Sequence, residues 1–227
     1  DTLTQTVTVH PSPNAGFTND TVCAQLEMSF TDTSTIPTGT IVSWSWDFGD
    51  GGVSADQNPV HVYNLGGQYT VSLTVESDLG CIDVFDKVII VYPKPFANFN
   101  TFAACQNDVN SFTDLSLVAT GSQIVGWEWG FDDPALGVSS VQFPTYVYDT
   151  SGVYTVQLIV ETDFGCLDTT TRTTEVYDLP VSDFDFNDVC RYTAAVFNNT
   201  STIETGSSIV NYDWDFGDGD TSTDEDP

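Results

Sequence analysis

One hexapeptide recurs along this chain, and the distance between its copies sets the size of the folding unit. Trp46-Asp47-Phe48-Gly49-Asp50-Gly51 returns as Trp214-Asp215-Phe216-Gly217-Asp218-Gly219, with a blurred copy at Trp129-Gly130-Phe131-Asp132-Asp133. The three tryptophans lie 83 and 85 residues apart. Cys23, Cys105 and Cys190 keep that period, as do Cys81 with Cys166 and Pro95 with Pro180. A period this long is a whole small domain and not one turn of a solenoid. Sliding the chain by one period lays Asp1 on Asp83 and Asp168, and Asp224-Glu225-Asp226-Pro227 on Asp56-Gln57-Asn58-Pro59. The expected organisation is therefore a final strand of a preceding repeat at 1–12, complete domains at 13–94 and 95–179, and the N-terminal part of a further, incomplete domain at 180–227.

The pattern inside each copy is that of strands. Tyr69, Val71, Leu73 and Val75 alternate with Thr70, Ser72, Thr74 and Glu76, and Tyr154, Val156, Leu158 and Val160 repeat the pattern. Strict alternation over eight residues marks a strand with one buried face. Val42, Trp44, Trp46 and Phe48 alternate likewise, as do Val125, Trp127, Trp129 and Phe131, and Val210, Tyr212, Trp214 and Phe216. Large aromatics on one inner face against Val and Leu on another build a β-sandwich core. The expected core motif is Trp46, Phe48, Tyr69, Trp129, Phe131, Tyr154, Trp214 and Phe216. Tyr69 and Tyr154 follow Gly67-Gln68 and Gly152-Val153 at strand starts, where a tyrosine corner would sit. No segment carries a helical apolar stripe.

Five cysteines fall into the same frame. Cys23 and Cys81 are 58 residues apart and Cys105 and Cys166 are 61 apart. That spacing predicts Cys23–Cys81 and Cys105–Cys166 disulfides, with Cys190 awaiting a partner beyond the chain end. A loop of this size would stabilise a small domain by about 4 kcal/mol on the chain-entropy view. Metal ligation by these cysteines is disfavoured, because no CxxC spacing exists and histidine is nearly absent.

Charge excludes further classes. Four Lys and Arg stand against 33 Asp and Glu, a net charge of −29. Nucleic acid and anionic membrane surfaces would both repel such a chain. No run of 18 apolar residues is available to insert into a membrane. Divalent cations or cationic partners fit better, as does a plain solvated surface. Catalytic chemistry is thin. His61 falls on Tyr146, and His10 falls on Tyr92 and Tyr177, so both histidines hold aromatic structural positions; no serine has a His partner in the pattern. The region is expected not to be an enzyme and to require no cofactor.

The acidic turns carry two readings. Gly49 and Gly51 supply turn conformations, and Asp50 can accept a hydrogen bond from the local backbone. Alternatively Asp213, Asp215, Asp218 and Asp220 crowd eight residues, and hard cations favour several carboxylate oxygens, which makes calcium the candidate ion. The spacing is not that of an EF-hand. Asp20, Asp32 and Asp188 offer other carboxylates near domain ends.

The run Trp46 to Gly51, followed by Asn58-Pro59, His61, Tyr63, Gly67, Tyr69-Thr70-Val71 and Leu73-Thr74-Val75, resembles the PKD (polycystic kidney disease) domain family. The resemblance covers both complete copies and the start of the third. It implies tandem immunoglobulin-like β-sandwiches, an all-β fold used outside cells. The paired cysteines resemble those of PKD arrays in Bacteroidetes surface and secreted proteins, including gliding-motility adhesins exported by the type IX system. Asp1-Thr2-Leu3, Asp20-Thr21-Val22 and Asp168-Thr169-Thr170 resemble the O-glycosylation sites of that lineage, with Thr2, Thr21 and Thr169 as acceptors. The second copy departs from the family at Asp132-Asp133-Pro134 and carries two extra residues before Pro144.

The resemblance implies a non-catalytic, extracellular or cell-surface repeat region, outer-membrane-attached or secreted. Its leading role is a semi-rigid, disulfide-stapled spacer of a large adhesin. Its expected partners are neighbouring PKD repeats, surface polysaccharide or another cell-surface protein, and the type IX secretion machinery. The alternative is an accessory PKD region of a secreted glycoside hydrolase or protease that helps bind insoluble polymer. A lesser alternative is a filament assembled by strand donation. The joints Tyr92-Pro93-Lys94-Pro95-Phe96 and Tyr177-Asp178-Leu179-Pro180-Val181 are short and proline-restricted.

Overall fold

A computed structural model of the 227-residue chain describes residues 3–134, 137–204 and 207–227. Every regular element among them is a β-strand. The first copy contributes β1 (Phe17–Asn19), β2 (Glu27–Asp32), β3 (Ile41–Asp47), β4 (Val53–Ser54), β5 (Val60–Val62), β6 (Gly67–Ser77) and β7 (Ile82–Val91). The second contributes β8 (Phe99–Asn100), β9 (Ala104–Cys105), β10 (Val109–Ser111), β11 (Thr113–Asp114), β12 (Ile124–Gly130), β13 (Val138–Ser139), β14 (Thr145–Val147), β15 (Gly152–Thr162) and β16 (Leu167–Tyr177). The third contributes β17 (Phe184–Phe186), β18 (Phe197–Asn199), β19 (Trp214–Asp215) and β20 (Thr221–Ser222).

Backbone packing divides the chain into two compact units. One comprises Asp1–Asn98, Leu115–Glu128 and Leu158–Thr170; the other comprises Phe99–Asp114, Trp129–Gln157 and Thr171–Pro227. The whole first sandwich lies in the first unit. Its sheets run β1-β2-β5 and β4-β3-β6-β7. The β6–β7 hairpin pairs ten residues without a break, from Gly67 opposite Val91 to Glu76 opposite Ile82. Alternation in β6 buries Val71, Leu73 and Val75 completely, as the period-two pattern requires. Against them lie Phe17, Met28, Phe30, Trp46, Phe48 and Tyr63, all 5% exposed or less. Phe17, Phe30 and Trp46 meet edge-on or tilted at 5.1–5.9 Å between ring centres, the arrangement that ring quadrupoles favour.

The second copy repeats the plan. A five-stranded sheet runs β13-β12-β15-β16-β9, and shorter pairs form between β10 and β14 and between β8 and β11. Phe99, Phe112, Trp129, Phe131 and Tyr148 are buried at the matching positions. Each core tryptophan donates its indole N–H to a carbonyl in the next turn: Trp46 to Asp56, Trp129 to Val141 and Trp214 to Asp224, each at 2.9 Å. Tyr69 donates to the Leu65 carbonyl and Tyr154 to the Thr150 carbonyl, so both form the expected tyrosine corner.

Three expectations need correction. The alternation does not bury Val42, which is 54% exposed: the β3–β6 register shifts between Ile41 and Ser43, and this bulge turns Val42 outward. Trp44 is accordingly half-buried and donates its indole N–H to Asp32 at 2.8 Å. Val125 and Val210 are exposed likewise, at 57% and 77%. Residues 3–13 form no strand, and Val7 and Val9 stand open to solvent where their counterparts Ile89 and Val91 are buried. Trp214 and Phe216 are only half-buried, because among the described residues no strand stands over them as β6 stands over Trp46 and Phe48.

Two buried polar groups generate predictions. Tyr63 donates its hydroxyl to the Phe48 carbonyl at 3.0 Å and is fully buried, as is Tyr148, which donates to Phe131. Tyr63→Phe should cost about 1–3 kcal/mol in urea unfolding, because the buried carbonyl is left without its donor. Asn110 is 2% exposed, and neither atom of its side-chain amide has a partner among the described residues. It occupies the place that Met28 takes in the first copy. Asn110→Met should stabilise the second sandwich by about 1–3 kcal/mol, read as a rise in its urea midpoint.

Candidate functional site

The acidic turn is built by its own backbone. Asp47 accepts from the Gly49 amide and Asp50 from the Gly52 amide, both at 2.9 Å. Asp215 and Asp218 repeat this, accepting from Gly217 and Asp220 at 2.9 and 3.0 Å. Gly49 adopts a φ of +80°, and a Cβ there would strike the Thr70 carbonyl at 2.4 Å. The hairpin closes through the Phe48 amide donating to the Gly52 carbonyl. In the second copy Asp132 takes the left-handed position, and its carboxylate accepts from the Thr155 amide at 3.2 Å.

The four carboxylates proposed for calcium are placed by these turns. Asp215 and Asp218 each cap a local amide, and Asp213, Asp215, Asp218 and Asp220 all stand in solvent. Among the described residues no three His, Cys, Asp or Glu side chains gather into a group that could hold a metal ion.

His61 sits against this turn and behaves as an aromatic plate. Its ring stacks on Phe48 at 4.2 Å, and its Nε2 meets Asp50 at 2.8 Å. Tyr146 stacks on Phe131 at 4.4 Å and donates its hydroxyl to Asp133, the counterpart of Asp50. The two copies thus use different side chains for one job: a flat ring covers the core phenylalanine and is tethered by the turn carboxylate. Its carboxylate hydrogen bond and partial burial push the Tyr146 hydroxyl up to about 12.

The cysteines pair otherwise than their spacing suggests. Cys23 is bonded to Cys166, closing 143 residues, and Cys81, Cys105 and Cys190 are free. The expected Cys23–Cys81 and Cys105–Cys166 pairs are not formed. Strand length forbids them. Cys23 bridges Tyr92, just beyond the end of β7, whereas Cys81 lies in the turn before its start. Ten residues of strand put about 30 Å between those positions, and a disulfide needs Cα atoms within about 7 Å. The same holds for Cys105, which pairs with Tyr177 at the end of β16, and Cys166, in the turn before it.

Around the bond, within the first compact unit, Tyr92 stacks on Phe164 at 4.0 Å and Lys94 pairs with Asp168 at 2.8 Å. Asp168 also accepts from the Ala97 amide at 2.8 Å, as Asp83 accepts from Ala15 at 2.7 Å. The aspartate of the Asp168-Thr169-Thr170 tripeptide therefore anchors the start of its own copy. Thr169 and Thr21 are exposed, and Thr2 lies outside the described residues.

A groove of about 540 Å³ opens over the third copy, lined by Phe184, Phe197, Asn199, Tyr212, Trp214 and Phe216. The counterparts of Phe184, Phe197, Trp214 and Phe216 are the buried Phe17, Phe30, Trp46 and Phe48, so the groove is a core face without its covering strands.

These features define a chain of tandem, non-catalytic β-sandwich modules. The PKD domain family matches residues 8–90 and 93–176, and the chain belongs to it. The Pre-pro-metalloprotease PrtV of Vibrio cholerae is 31% identical over 145 residues, covering 62% of this chain and 15% of that protein. The collagenase ColQ1 of Bacillus cereus is 57% identical over 42 residues, covering 18% of this chain and 4% of that protein. The chain therefore spans a small fraction of the curated relatives it matches. Among solved structures, the PKD1 domain of Vibrio anguillarum Epp is 36% identical, with 37% of this chain and 98% of that one covered and a TM-score of 0.35. PKD modules are non-catalytic accessory domains.

The turn and its neighbours make stability pH-dependent. Burial pushes the Asp50 carboxyl up, but hydrogen bonds from His61 and the Gly52 amide, with the His61 charge, outweigh it and hold the group below its usual range. Burial likewise raises Asp32 and Asp168. Bonds from Ser34, Gln57 and Trp44 outweigh it at Asp32, and bonds from Lys94 and the Ala97 amide at Asp168. Carboxyls lowered in the folded state contribute stability above their unfolded value of about 4, and lose it as pH falls through the lower folded value. Urea midpoints should hold from neutral pH down to about 4 and fall below it, with Asp50→Asn flattening part of that fall. His61→Tyr should keep wild-type stability within about 1 kcal/mol, while His61→Ala should cost about 1 kcal/mol or more through the lost stack.

Proposed function

We propose that this chain is the accessory repeat region of an extracellular protein, and that it positions a neighbouring catalytic domain on insoluble polymer. The observation that carries this reading is the match to PrtV and to collagenases, in which PKD modules are a minor part of a protein named for its protease activity. The disulfide supports an oxidising, extracellular setting, since cytosolic thiols are kept reduced. Exposed aromatics supply contact points for a polymer: Phe96, Phe102 and Phe143 are 64%, 71% and 59% exposed.

The second reading is the spacer of a large surface adhesin, exported by the type IX route and contacting surface polysaccharide. It is favoured by the net charge of −29 and by the covalent staple, which suit a solvated string of modules more than a docking face. O-glycosylation at Thr21 and Thr169 belongs with this reading.

Co-sedimentation separates the two. The 227-residue chain should pellet with fibrillar collagen or chitin in moderate salt, and Phe96→Ala, Phe102→Ala and Phe143→Ala together should release it. Recovery of the chain wholly in the supernatant with every polymer tried would leave the spacer reading in its place.

A further inference from the structure

The cysteines occupy two kinds of position, and the bond that forms joins one kind to the other across copies. The first kind is Cys23, Cys105 and Cys190. Each accepts at its carbonyl from the amide three residues on, from Leu26, Asp108 and Thr193 respectively. Each precedes by two a non-glycine residue of positive φ: Gln25 at 69°, Asn107 at 65° and Tyr192 at 72°. Cys23 and Cys105 also run parallel to the tyrosine that ends their own copy, Tyr92 and Tyr177. The second kind is Cys81 and Cys166. Each amide donates to a hydroxyl four residues back, Ser77 Oγ and Thr162 Oγ1, both at 3.1 Å. The carbonyls of Cys81 and Cys166 accept from the Ser77 and Thr162 amides. Equivalent cysteines thus stand in equivalent backbone frames.

We infer that the disulfides of this chain follow a ladder. The first-position cysteine of each module bonds to the second-position cysteine of the module that follows it, and never to the one in its own module. Cys23–Cys166 is one rung. Cys105 is then the free half of a rung to the next module's second position, and Cys81 is the free half of a rung to a preceding module's first position. The partner of each free thiol is a PKD module adjacent in the same chain.

Two observations beyond the thiols point there. In-module pairing is ruled out by the long last strand of each copy, which holds the two positions about 30 Å apart. The aromatic contact beside the formed rung also has uncovered counterparts at the free positions. Tyr92 and Phe164 stack on each other while Phe164 stays 44% exposed; Tyr177, also 44% exposed, makes no ring contact among the described residues, and Leu79, the counterpart of Phe164, is 53% exposed. Cys81 and Cys105 each have beside them the apolar half of a junction.

Peptide mapping without reduction, after alkylation, tests the rule in the chain as it stands. The expected products are a Cys23–Cys166 cross-linked peptide and alkylated Cys81, Cys105 and Cys190. Cys23–Cys81 and Cys105–Cys166 peptides would overturn it. A chain carrying a second copy of Val60–Lys94 after Pro227 tests the next rung, because it gives the third copy the counterparts of β5, β6 and β7 together with Cys81. Cys105 should then vanish from the alkylated set and appear bonded to the grafted copy of Cys81, leaving Cys190 free. A bond between Cys190 and the grafted cysteine, or a disulfide-linked dimer through Cys81 or Cys105, overturns the ladder. If the graft does not fold, Cys166→Ser in the original chain decides: Cys23 must become fully alkylatable, and its transfer to Cys81 or Cys105 refutes the rule.

Discussion

The unbroken pairing of β6 with β7 is the constraint on which the rest of the first sandwich depends. Its ten register pairs fix which face of each strand meets the aromatics, and so set Val71, Leu73 and Val75 against Trp46 and Phe48. Its length also fixes the two ends of the domain. One end carries the turn with Cys81, and the other carries Tyr92 and the joint to the next copy. A long hairpin is a stiff ruler, because every residue adds about 3.3 Å and none can be taken up by coiling. What lies at its two ends cannot meet within the domain. The covalent cross-link therefore has to be made to another copy, and the joint of Tyr92 to Phe96 is short enough to bring one within reach.

The core was legible in the sequence because aromatic residues of the right spacing leave few alternatives. Trp46 and Phe48, or Trp129 and Phe131, cannot stand on a solvated face without cost, so the period-two pattern around them reads directly as an inner face. The pattern misled where the backbone changed step. A bulge between Ile41 and Ser43 reverses Val42, and nothing in Ile41-Val42-Ser43 announces it. The disulfides misled for a related reason. Sequence spacing reports loop length, and 58 and 61 residues are ordinary loops for a disulfide; strand direction decides the pairing, and it is invisible in a residue count. The register of β7 against Cys23 would have been enough to exclude the in-copy pair.

The acidic turns show how a motif rich in carboxylates can be structural. A chain with 33 acidic residues offers oxygen ligands everywhere, so their crowding alone says little. Asp47, Asp50, Asp215 and Asp218 each accept from an amide two residues on, which a tight turn with glycine at positive φ makes available. The exchange of His61 for Tyr146 is the clearest sign of what the turn does. A titratable ring and a phenol have little chemistry in common, but both are flat, both stack on a phenylalanine, and both can bond a carboxylate. A position that accepts either is selected for shape and one polar tether, not for proton transfer. That is why His61 offered no catalytic reading.

A staple between copies changes what the string can withstand. With bonds inside each module, one cut in the joint Tyr92-Pro93-Lys94-Pro95-Phe96 would part the chain, because nothing else would cross it. With Cys23 bonded to Cys166, the same cut leaves both sides joined through sulfur. Proline at two of five positions already narrows the conformations a protease must seize. The cross-link also acts on the unfolded state, since a closed loop of 143 residues removes more chain entropy than loops of 58 or 61, by an amount that grows slowly with length. The difference per bond is about 0.8 kcal/mol, too little for loop entropy to explain the arrangement. Continuity does. A bond that crosses a joint adds a connection there, whereas a bond inside a module repeats what its sandwich core already holds.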